Sequence, residues 1–279
     1  MANNAAGQPI LYVFGGNVDD IQYHDVWAYD ASTDTWTFKS NGFEGSLSNG
    51  VGKIGGKFYI SGGYNHGSGD FLPQRTLQAY DIAANRWIRK ADIPLATAEG
   101  VTGVIDGKLY VLPGLCSGDG WPNPGYCAEE PTRRFYRYDP ATNTWVTRQS
   151  APHFHKSGGA AVINGKFYVV GGLNNFDPVA DLDVYEPATN RWRTLAPMPT
   201  AGRAVATTLR GKLFVVQTSK AYSYDPLTNK WTTRAGPPSA GTVDPVGRVS
   251  VDGTSRVLLV PTTQEGPDPR PKPSYLYTP

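Results

Sequence analysis

The sequence predicts an all-β protein built from repeated units of four strands. The main evidence is a phrase that recurs five times, in which a tryptophan follows a tyrosine by seven residues across a polar turn. The five copies end at Trp36, Trp87, Trp145, Trp192 and Trp231. A second phrase, a short aromatic and β-branched run with flanking glycines such as 165–172, comes before it. Runs of this kind are typical of buried strands, and no apolar period of 3.6 residues persists for three turns.

Each unit accommodates four antiparallel strands, called a to d here. Strand a is small and apolar, strand b carries a double glycine, strand c ends at the recurring tyrosine and strand d starts at the tryptophan. Asn-Gly and Asp-Gly links predict tight a–b hairpins, and Asp-Pro-x-Thr-Asn links predict c–d turns. The tryptophans are 51, 58, 47 and 39 residues apart, because the b–c connections differ in length. The predicted b–c loops are Asn17–Asp25, Tyr64–Thr76, Leu115–Arg134 and Leu173–Asp181.

A single four-stranded unit cannot bury both of its faces, so the units must stack with their tyrosines and tryptophans between them. The double glycine and the spaced tyrosine and tryptophan, at about fifty residues per copy, resemble the kelch repeat over nearly the whole chain. The resemblance implies one domain over residues 1–279, a six-bladed β-propeller of four-stranded antiparallel blades. The repeated tyrosines and tryptophans are then expected to pack blades rather than to bind ligands.

The strand count is uneven at both ends of this ring. Strands b and c have six copies, but strands a and d have only five clear ones. The segment 2–7 is weak strand material, and no strand d follows Pro279. We therefore expect incomplete first and last blades, with a strand edge on the last blade that is open to association. A chain trimmed from a longer parent is the alternative.

Composition and charge exclude several classes of function. The chain has 26 basic and 24 acidic residues, which does not suggest a nucleic-acid or membrane-surface binder. No stretch approaches the ~20 apolar residues of a membrane helix, and the first eight residues lack the apolar core of a signal peptide. Nucleophile elbows, phosphate-binding loops and zinc-protease motifs are absent. We expect a non-catalytic module without a cofactor, which binds a protein, peptide or glycan.

The binding face is expected to be the one formed by the b–c and d–a connections, because alternating strands bring them to the same side. Variable loops on a rigid frame are where binding residues collect. The third b–c loop is the most unusual, since Trp121 lies outside any recognisable strand and Tyr126 lies near it. Exposed aromatic faces suit sugar rings or peptide prolines. The alternative is a loop that folds on itself around Trp121.

Basic residues flank this loop and the preceding b–c loop. Arg75, Arg133 and Arg134 could hold a carboxylate in bidentate fashion, or they could be solvated charges balanced by nearby acids. Cys116 and Cys127 are eleven positions apart in the same Gly/Pro-rich stretch and predict a disulfide. A disulfide would mean an extracellular or periplasmic compartment, whereas two free thiols would suit the cytoplasm.

The four histidines all fall on the same predicted face. His24 and His66 belong to b–c loops, and His153 and His155 belong to the d–a approach of the fourth unit. Their spacing does not match a metal-ligand motif, so we predict no metal site. Because they border the loop face, His24, His66 and His155 are candidate ligand-binding residues.

The d–a approaches should line the mouth of the central channel. Glu99, His155, Lys156 and Arg203 lie in these approaches and could recognise a small polar ligand. Some kelch propellers handle sugars, so the resemblance leaves an alternative function open. This alternative is an epimerase-like or mutarotase-like enzyme in which Glu99 pairs with Arg203 or His155 in acid–base catalysis.

Overall fold

The computed structural model describes residues 2–3, 9–18, 21–30, 32–42, 50–65, 72–117, 130–236, 250–251, 257–259 and 275–277. All the strands in these ranges pair antiparallel, and the ranges contain no helix. The described residues therefore include no helix that could cross a membrane. The prediction of an all-β fold is confirmed.

Blades 1 and 2 follow the predicted order of strands a to d. Blade 1 consists of β1 (Ala2–Asn3), β2 (Pro9–Val18), β3 (Ile21–Asp30) and β4 (Thr35–Ser40). The next strands are β5 (Gly50–Ile54), β6 (Lys57–Ser61), β7 (Tyr64–Asn65), β8 (Leu72–Pro73), β9 (Leu77–Asp81) and β10 (Arg86–Arg89). Strands β5, β6, β9 and β10 form blade 2, while β7 and β8 form a small hairpin in its b–c connection.

Blades 3 and 4 have the same plan. The strands of the third unit are β11 (Ala96–Ala98), β12 (Val101–Ile105), β13 (Lys108–Leu112), β14 (Leu115–Ser117), β15 (Glu130–Pro131), β16 (Phe135–Asp139) and β17 (Thr144–Arg148). Blade 3 is β12-β13-β16-β17, and β11, β14 and β15 form a separate sheet. The strands of the fourth unit are β18 (Gly159–Ile163), β19 (Lys166–Val170), β20 (Leu173–Asn174), β21 (Asp177–Pro178), β22 (Leu182–Glu186) and β23 (Arg191–Thr194). Blade 4 is β18-β19-β22-β23, with the β20–β21 hairpin in its b–c connection.

Blade 5 is the last four-stranded sheet of the described residues. It consists of β24 (Val205–Leu209), β25 (Lys212–Val216), β26 (Ala221–Asp225) and β27 (Lys230–Arg234). Its b–c connection is tight, since Gln217 and Lys220 exchange backbone hydrogen bonds. A three-stranded sheet follows, made of β28 (Ser250–Val251), β29 (Val257–Leu259) and β30 (Tyr275–Tyr277).

The prediction of six blades is wrong in its count, because the described residues form five four-stranded blades. The sixth copy is represented there by the three-stranded sheet, where the glycine pair of strand b has already degenerated in sequence. Blade 1 does have four strands, although β1 contains only two residues, which pair with Ile10 and Pro9. Association through the edge of the last sheet stays a prediction, as does the single domain over residues 1–279.

The extent of the first b–c loop was also predicted wrongly. Much of Asn17–Asp25 lies within strands rather than in a loop, because β2 and β3 continue their pairing up to Val18 and Ile21. The register shifts between Phe14 and Gly16, where the long hairpin contains a bulge. His24 is thus an exposed residue of β3.

Small residues in strands a are explained by the strands b of the following blades. Neighbouring a strands approach one another around the axis of the propeller. A Cβ added to Gly103 of β12 would lie 2.6 Å from the ring of Phe167 in β19. One added to Gly52 of β5 would lie 2.5 Å from Leu109 in β13. Real side chains do not pack this closely, so these positions accept almost nothing larger than glycine.

The repeated tyrosine, asparagine and tryptophan clamp blades 3, 4 and 5 to the blade before. In blade 4, the Tyr185 hydroxyl donates to Asn190 Oδ1 at 2.8 Å. The same oxygen accepts from the backbone N–H of Gln149 in the preceding unit at 3.1 Å. Trp192 Nε1 donates to the backbone carbonyl of Gln149 at 2.7 Å. The clamp therefore binds both main-chain groups of one residue, whatever its side chain.

The clamp recurs in other blades. Asn143 and Trp145 bind the N–H and C=O of Ala91, and Asn229 and Trp231 bind those of Ala196. The tyrosine at the centre of each clamp is fully buried in blades 2 to 5. Burial raises the pKa of Tyr138 to about 12, with smaller contributions from Tyr59 and Asp139. The hydroxyl therefore stays protonated, as its donor role requires.

Candidate functional site

The mouth of the channel is lined by the residues two positions before each strand a. Val101, Gly159 and Val205 start strands a at the same register, which makes Glu99, Ser157 and Arg203 equivalent positions in blades 3, 4 and 5. The Ser157 N–H donates to the Glu99 carbonyl at 2.8 Å, and the Ala204 N–H donates to the Ser157 carbonyl at 3.4 Å. The three predicted approaches are therefore contiguous around the mouth.

Glu99 is the centre of a polar cluster drawn from three blades. Its Oε1 accepts from the Tyr64 hydroxyl at 2.8 Å, and its Oε2 accepts from the Ser157 hydroxyl. Lys156 Nζ lies 3.9 Å from Oε2. Glu99 and Ser157 both have a left-handed backbone, with φ of 54° and 53°. Residues other than glycine rarely adopt this backbone conformation, and such backbone strain is concentrated at functional sites.

Phe176 extends this cluster outward. It lies in the two-residue turn between β20 and β21, and 79% of its surface is exposed. Lys156 Nζ lies 5.3 Å from the centre of its ring, within the range of a cation–π contact. Lys156 itself is buried and joins the carboxylate of Glu99 to the aromatic ring of Phe176. We call Tyr64, Glu99, Lys156, Ser157 and Phe176 the rim site.

A buried polar cluster lies directly behind the rim site, in blade 4. Asp183 has no exposed surface, and its Oδ1 accepts from the Thr194 hydroxyl at 2.8 Å. Its Oδ2 lies 3.1 Å from His155 Nε2 and 3.0 Å from His153 Nδ1. Burial alone would raise the pKa of Asp183, but its bonds to His155, Thr194 and His153 lower the pKa below the usual range. Asp183 is therefore a buried anion held by three donors.

His155 belongs to this buried cluster rather than to the surface. Its side chain has no exposed area, and its Nδ1 lies 2.8 Å from the Gly171 carbonyl. Both ring nitrogens are thus engaged inside blade 4. For this reason we do not carry His155 forward as a ligand-binding or acid–base residue. His153 is more open, with 37% of its side chain exposed and Nε2 3.7 Å from Asp181.

The predicted arginines are spread over the same face. Arg75 Nε donates to the Ile93 carbonyl at 3.1 Å, and the Arg133 guanidinium nitrogen Nη1 donates to the Pro152 carbonyl at 3.0 Å. Each therefore holds the d–a connection of its own blade, and Arg133 also stacks over Phe154 at 5.3 Å. Arg134 is exposed. Among the described residues, the guanidinium of Arg203 has no hydrogen-bond or ion-pair partner.

Several predicted residues lie outside the described residues. These are Trp121, Tyr126, His66 and Cys127, together with the side chain of Cys116, whose backbone is part of β14. The disulfide and the extracellular compartment that depends on it stay predictions. Of the predicted site residues, the structure brings together Glu99 and Lys156, and it places Arg203 two approaches further around the mouth.

Comparison with known proteins agrees with the repeat pattern. A family model described as the Kelch motif matches residues 2–41, 97–150 and 156–199. The chain belongs to the kelch-repeat family. Kelch-like protein 23 of Homo sapiens is 28% identical over 192 residues, which are 68% of this chain and 31% of the relative. The resemblance to the kelch repeat is thereby confirmed.

Other similar proteins carry names of different kinds. The Kelch repeat and BTB domain-containing protein 12 of Homo sapiens is 26% identical over 183 residues, 59% of this chain and 28% of the relative. The N-(sulfonatooxy)prop-2-enimidothioate sulfolyase of Thlaspi arvense is 30% identical over 188 residues, 61% and 53% of the two chains. The chain spans about a third of the length of its Kelch-like relatives.

Sequence reasoning did not identify Tyr64, Ser157, Phe176 or Asp183 as site residues. Tyr64 and Phe176 lie in connections whose pairing across blades depends on the closed arrangement of the sheets. Asp183 had a usable signal, since a carboxylate stands in the middle of an otherwise apolar strand c. Equivalent positions carry Gln78, Tyr136 and Tyr222, so the repeat itself does not require an acid there.

Proposed function

We propose that this chain is a protein-interaction module that binds an extended peptide segment of a partner at the rim site. The carrying observation is Phe176, a large aromatic side chain that is 79% exposed beside a cluster of satisfied polar groups. A large aromatic side chain that is exposed beside a cation and hydrogen-bonding groups is suited to anchor a partner in an interface. The fold supports the same role, since a propeller is a rigid scaffold that presents variable connections.

Arg203 adds specificity to this proposal. Its guanidinium stands at the same register as Glu99 and Ser157, and it lacks a partner among the described residues. A backbone carbonyl or side-chain oxygen of the bound segment would therefore find a free donor in the approach of blade 5. The segment would lie across the approaches of blades 3, 4 and 5.

Binding has more support than the sugar-handling alternative. Both carboxylate oxygens of Glu99 already accept hydrogen bonds, from Tyr64 and from Ser157. Catalytic acid–base groups must reach the substrate, whereas His155 is buried and engaged at both nitrogens. Glycan binding through Trp121 and Tyr126 concerns residues outside the described ranges and has no support of its own.

Selection of peptides from a random display library tests the proposal directly. Peptides that bind the wild-type chain would be synthesised and titrated by fluorescence polarisation against Phe176→Ala and Glu99→Gln. We expect at least a tenfold loss of affinity for Phe176→Ala, the loss typical of a hot spot. The matched control is Leu227→Ala, since Leu227 is 93% exposed but lies in a c–d turn at the other end of the strands.

The same selection can contradict the proposal. Peptides that bind Phe176→Ala and Glu99→Gln as tightly as wild type would place the binding surface elsewhere. Proton NMR with a panel of aldoses and sialic acids tests the enzyme. Exchange or epimerisation that disappears in Glu99→Ala would replace the binding proposal by the catalytic alternative.

A further inference from the structure

Blade 1 contains its own copy of the interblade clamp. The Tyr29 hydroxyl donates to Asp34 Oδ1 at 2.9 Å, and the rings of Tyr29 and Trp36 lie 5.0 Å apart. The corresponding rings of blade 4, Tyr185 and Trp192, have nearly the same separation of 5.1 Å. Asp34 also has the left-handed backbone of the other clamps, with a φ of 52°. The clamp of blade 1 is therefore already assembled.

This clamp still has a donor and an acceptor to offer. Across the parts of the chain that the structure describes, Trp36 Nε1 has no hydrogen-bond acceptor and Asp34 accepts a side-chain bond only from Tyr29. Tyr29 is only partly buried, whereas its equivalents in blades 2 to 5 are fully buried. Cross-strand pairing places Trp27 and Phe38 on the same face, and half of the Phe38 surface is exposed.

The occupied clamps of blades 3, 4 and 5 show what such a face binds. Each binds the backbone N–H and C=O of the residue four positions after the tryptophan of the preceding blade. These bound residues are Ala91, Gln149 and Ala196. Two positions later comes an apolar residue that is buried in one cluster with the clamp tyrosine, and a proline follows it. These apolar residues are Ile93, Ala151 and Met198.

Charge favours a basic occupant for the clamp of blade 1. Residue 34 is an aspartate, whereas blades 2 to 5 have an asparagine at the same place. In blade 4, the residue before the bound one is Arg148, whose Nε donates to the Tyr185 hydroxyl at 2.8 Å. An arginine at this position of an occupant of blade 1 would approach Tyr29 and Asp34. Its guanidinium would there meet a carboxylate instead of a neutral amide.

We propose that the clamp face of blade 1, formed by Trp27, Tyr29, Asp34, Trp36 and Phe38, is a docking site for a kelch-type segment supplied by another chain. The segment consists of a strand d and the connection that follows it. It carries an arginine, then a residue bound through its main chain, and two positions later an apolar residue followed by proline. Because this clamp lies at a c–d turn, the proposal is independent of the rim site.

A synthetic peptide of residues 144–153 has the required pattern and tests the site. It contains Arg148 before Gln149, followed by Ala151 and a proline. The indole N–H of Trp36 is observed in ¹H–¹⁵N spectra of the whole ¹⁵N-labelled chain and is assigned with Trp36→Phe. We expect a saturable shift of this signal during the peptide titration, with the other indole signals unchanged. No shift of the Trp36 indole at peptide concentrations up to about 1 mM would overturn the proposal.

Modified peptides test whether the main chain is recognised. Methylation of the Gln149 backbone nitrogen removes the N–H donor but keeps the side chain, so this peptide should bind at least tenfold more weakly. The matched control is a peptide with Gln149→Ala, which keeps both main-chain groups and should stay within twofold of the original. A peptide whose affinity follows the side chain of Gln149 and not its N–H would contradict the assignment.

Variants of the whole chain test the acceptor. Asp34→Gly removes the carboxylate but suits the left-handed backbone, and should weaken peptide binding at least tenfold. Asp106→Gly is the matched control, because Asp106 has a similar φ of 48° in an a–b turn, and its affinity should equal that of wild type. Asp34→Asn should still bind the peptide but lose its preference for Arg148 over alanine. Equal losses for Asp34→Gly and Asp106→Gly would refute the role of Asp34.

The source of the natural segment is separated by measurements without peptide. A Trp36 indole that is protected from hydrogen exchange in the dilute chain, and that the peptide cannot displace, would mean that the chain fills its own clamp and would overturn the proposal. Self-association that increases with concentration in sedimentation, and that the peptide of residues 144–153 reverses, would support the site with a second copy as the supplier.

Discussion

The clamp at Asn190 allows a stability prediction that separates hydrogen bonding from backbone strain. Asn190→Gly keeps the left-handed backbone, whose φ is 54°, but removes the acceptor shared by Tyr185 and Gln149. Each hydrogen bond contributes a net stability of about 0.5–1.5 kcal/mol. Because one of the two is exposed, their loss should lower the free energy of unfolding by about 1.5 kcal/mol. The added freedom of glycine contributes about 0.5 kcal/mol. We expect unfolding to become easier by about 2 kcal/mol.

Asn190→Ala should cost more than Asn190→Gly. Alanine loses the same two hydrogen bonds and also pays about 1–2 kcal/mol for a left-handed backbone that asparagine tolerates. The expected loss is about 3 kcal/mol, whereas Asn190→Asp keeps the acceptor and should stay below about 1 kcal/mol.

Urea unfolding followed by tryptophan fluorescence measures these differences, and hydrogen exchange of the Gln149 amide reports the clamp locally. The control is Asp106→Gly and Asp106→Ala, because Asp106 has a similar φ of 48° in an a–b turn. Its side chain makes no hydrogen bond to another blade within the described residues. Equal losses for alanine and glycine at position 190, or an unchanged Gln149 amide, would refute the reasoning.

Two further perturbations test other parts of the structure. Gly172 has a φ of 97°, and a Cβ added to it would lie 2.5 Å from the Lys156 carbonyl oxygen. Gly172→Ala should therefore lower the free energy of unfolding measured in urea by about 2 kcal/mol or more and shift the backbone amide signals of the rim site. A loss below about 0.5 kcal/mol would show that the structure relaxes around the added methyl group. The folded pKa of Asp183 is depressed, so its contribution to stability is present above its unfolded pKa of about 3.9 and is lost as the pH falls toward the folded value. The stability gap between wild type and Asp183→Asn should therefore shrink from pH 6 to pH 3 in urea titrations, and a gap that is constant over this range would mean that Asp183 is not held as an anion.

Most of the fold follows from the sequence because the repeat fixes it several times over. Five copies of one phrase place strands c and d, and the small residues of strand a are required by the rings behind Gly103 and Gly52. The count of blades was wrong where the signal weakened, in the sixth copy. The loop Asn17–Asp25 was misplaced because polar residues can continue a two-stranded hairpin as readily as they can leave it.

The candidate site was predictable only in part. Register alone brought out Glu99, Lys156 and Arg203, since residues just before strand a must gather around the axis. Tyr64 and Phe176 meet them through connections of variable length, which carry no repeat. The burial of His155 was not predicted, because exposure cannot be read from its position in the chain; its ring lies 3.1 Å from the carboxylate of Asp183 inside blade 4.

The joint between neighbouring units has a consequence for how such chains grow. Asn190 and Trp192 form hydrogen bonds with the backbone N–H and C=O of Gln149, and their counterparts bind those of Ala91 and Ala196 in the same way. One half of each of these three joints is main chain, which any amino acid except proline provides in full. A copied unit can therefore form this joint with its neighbour from the moment of duplication, without a matched substitution at the residue whose peptide groups are bound.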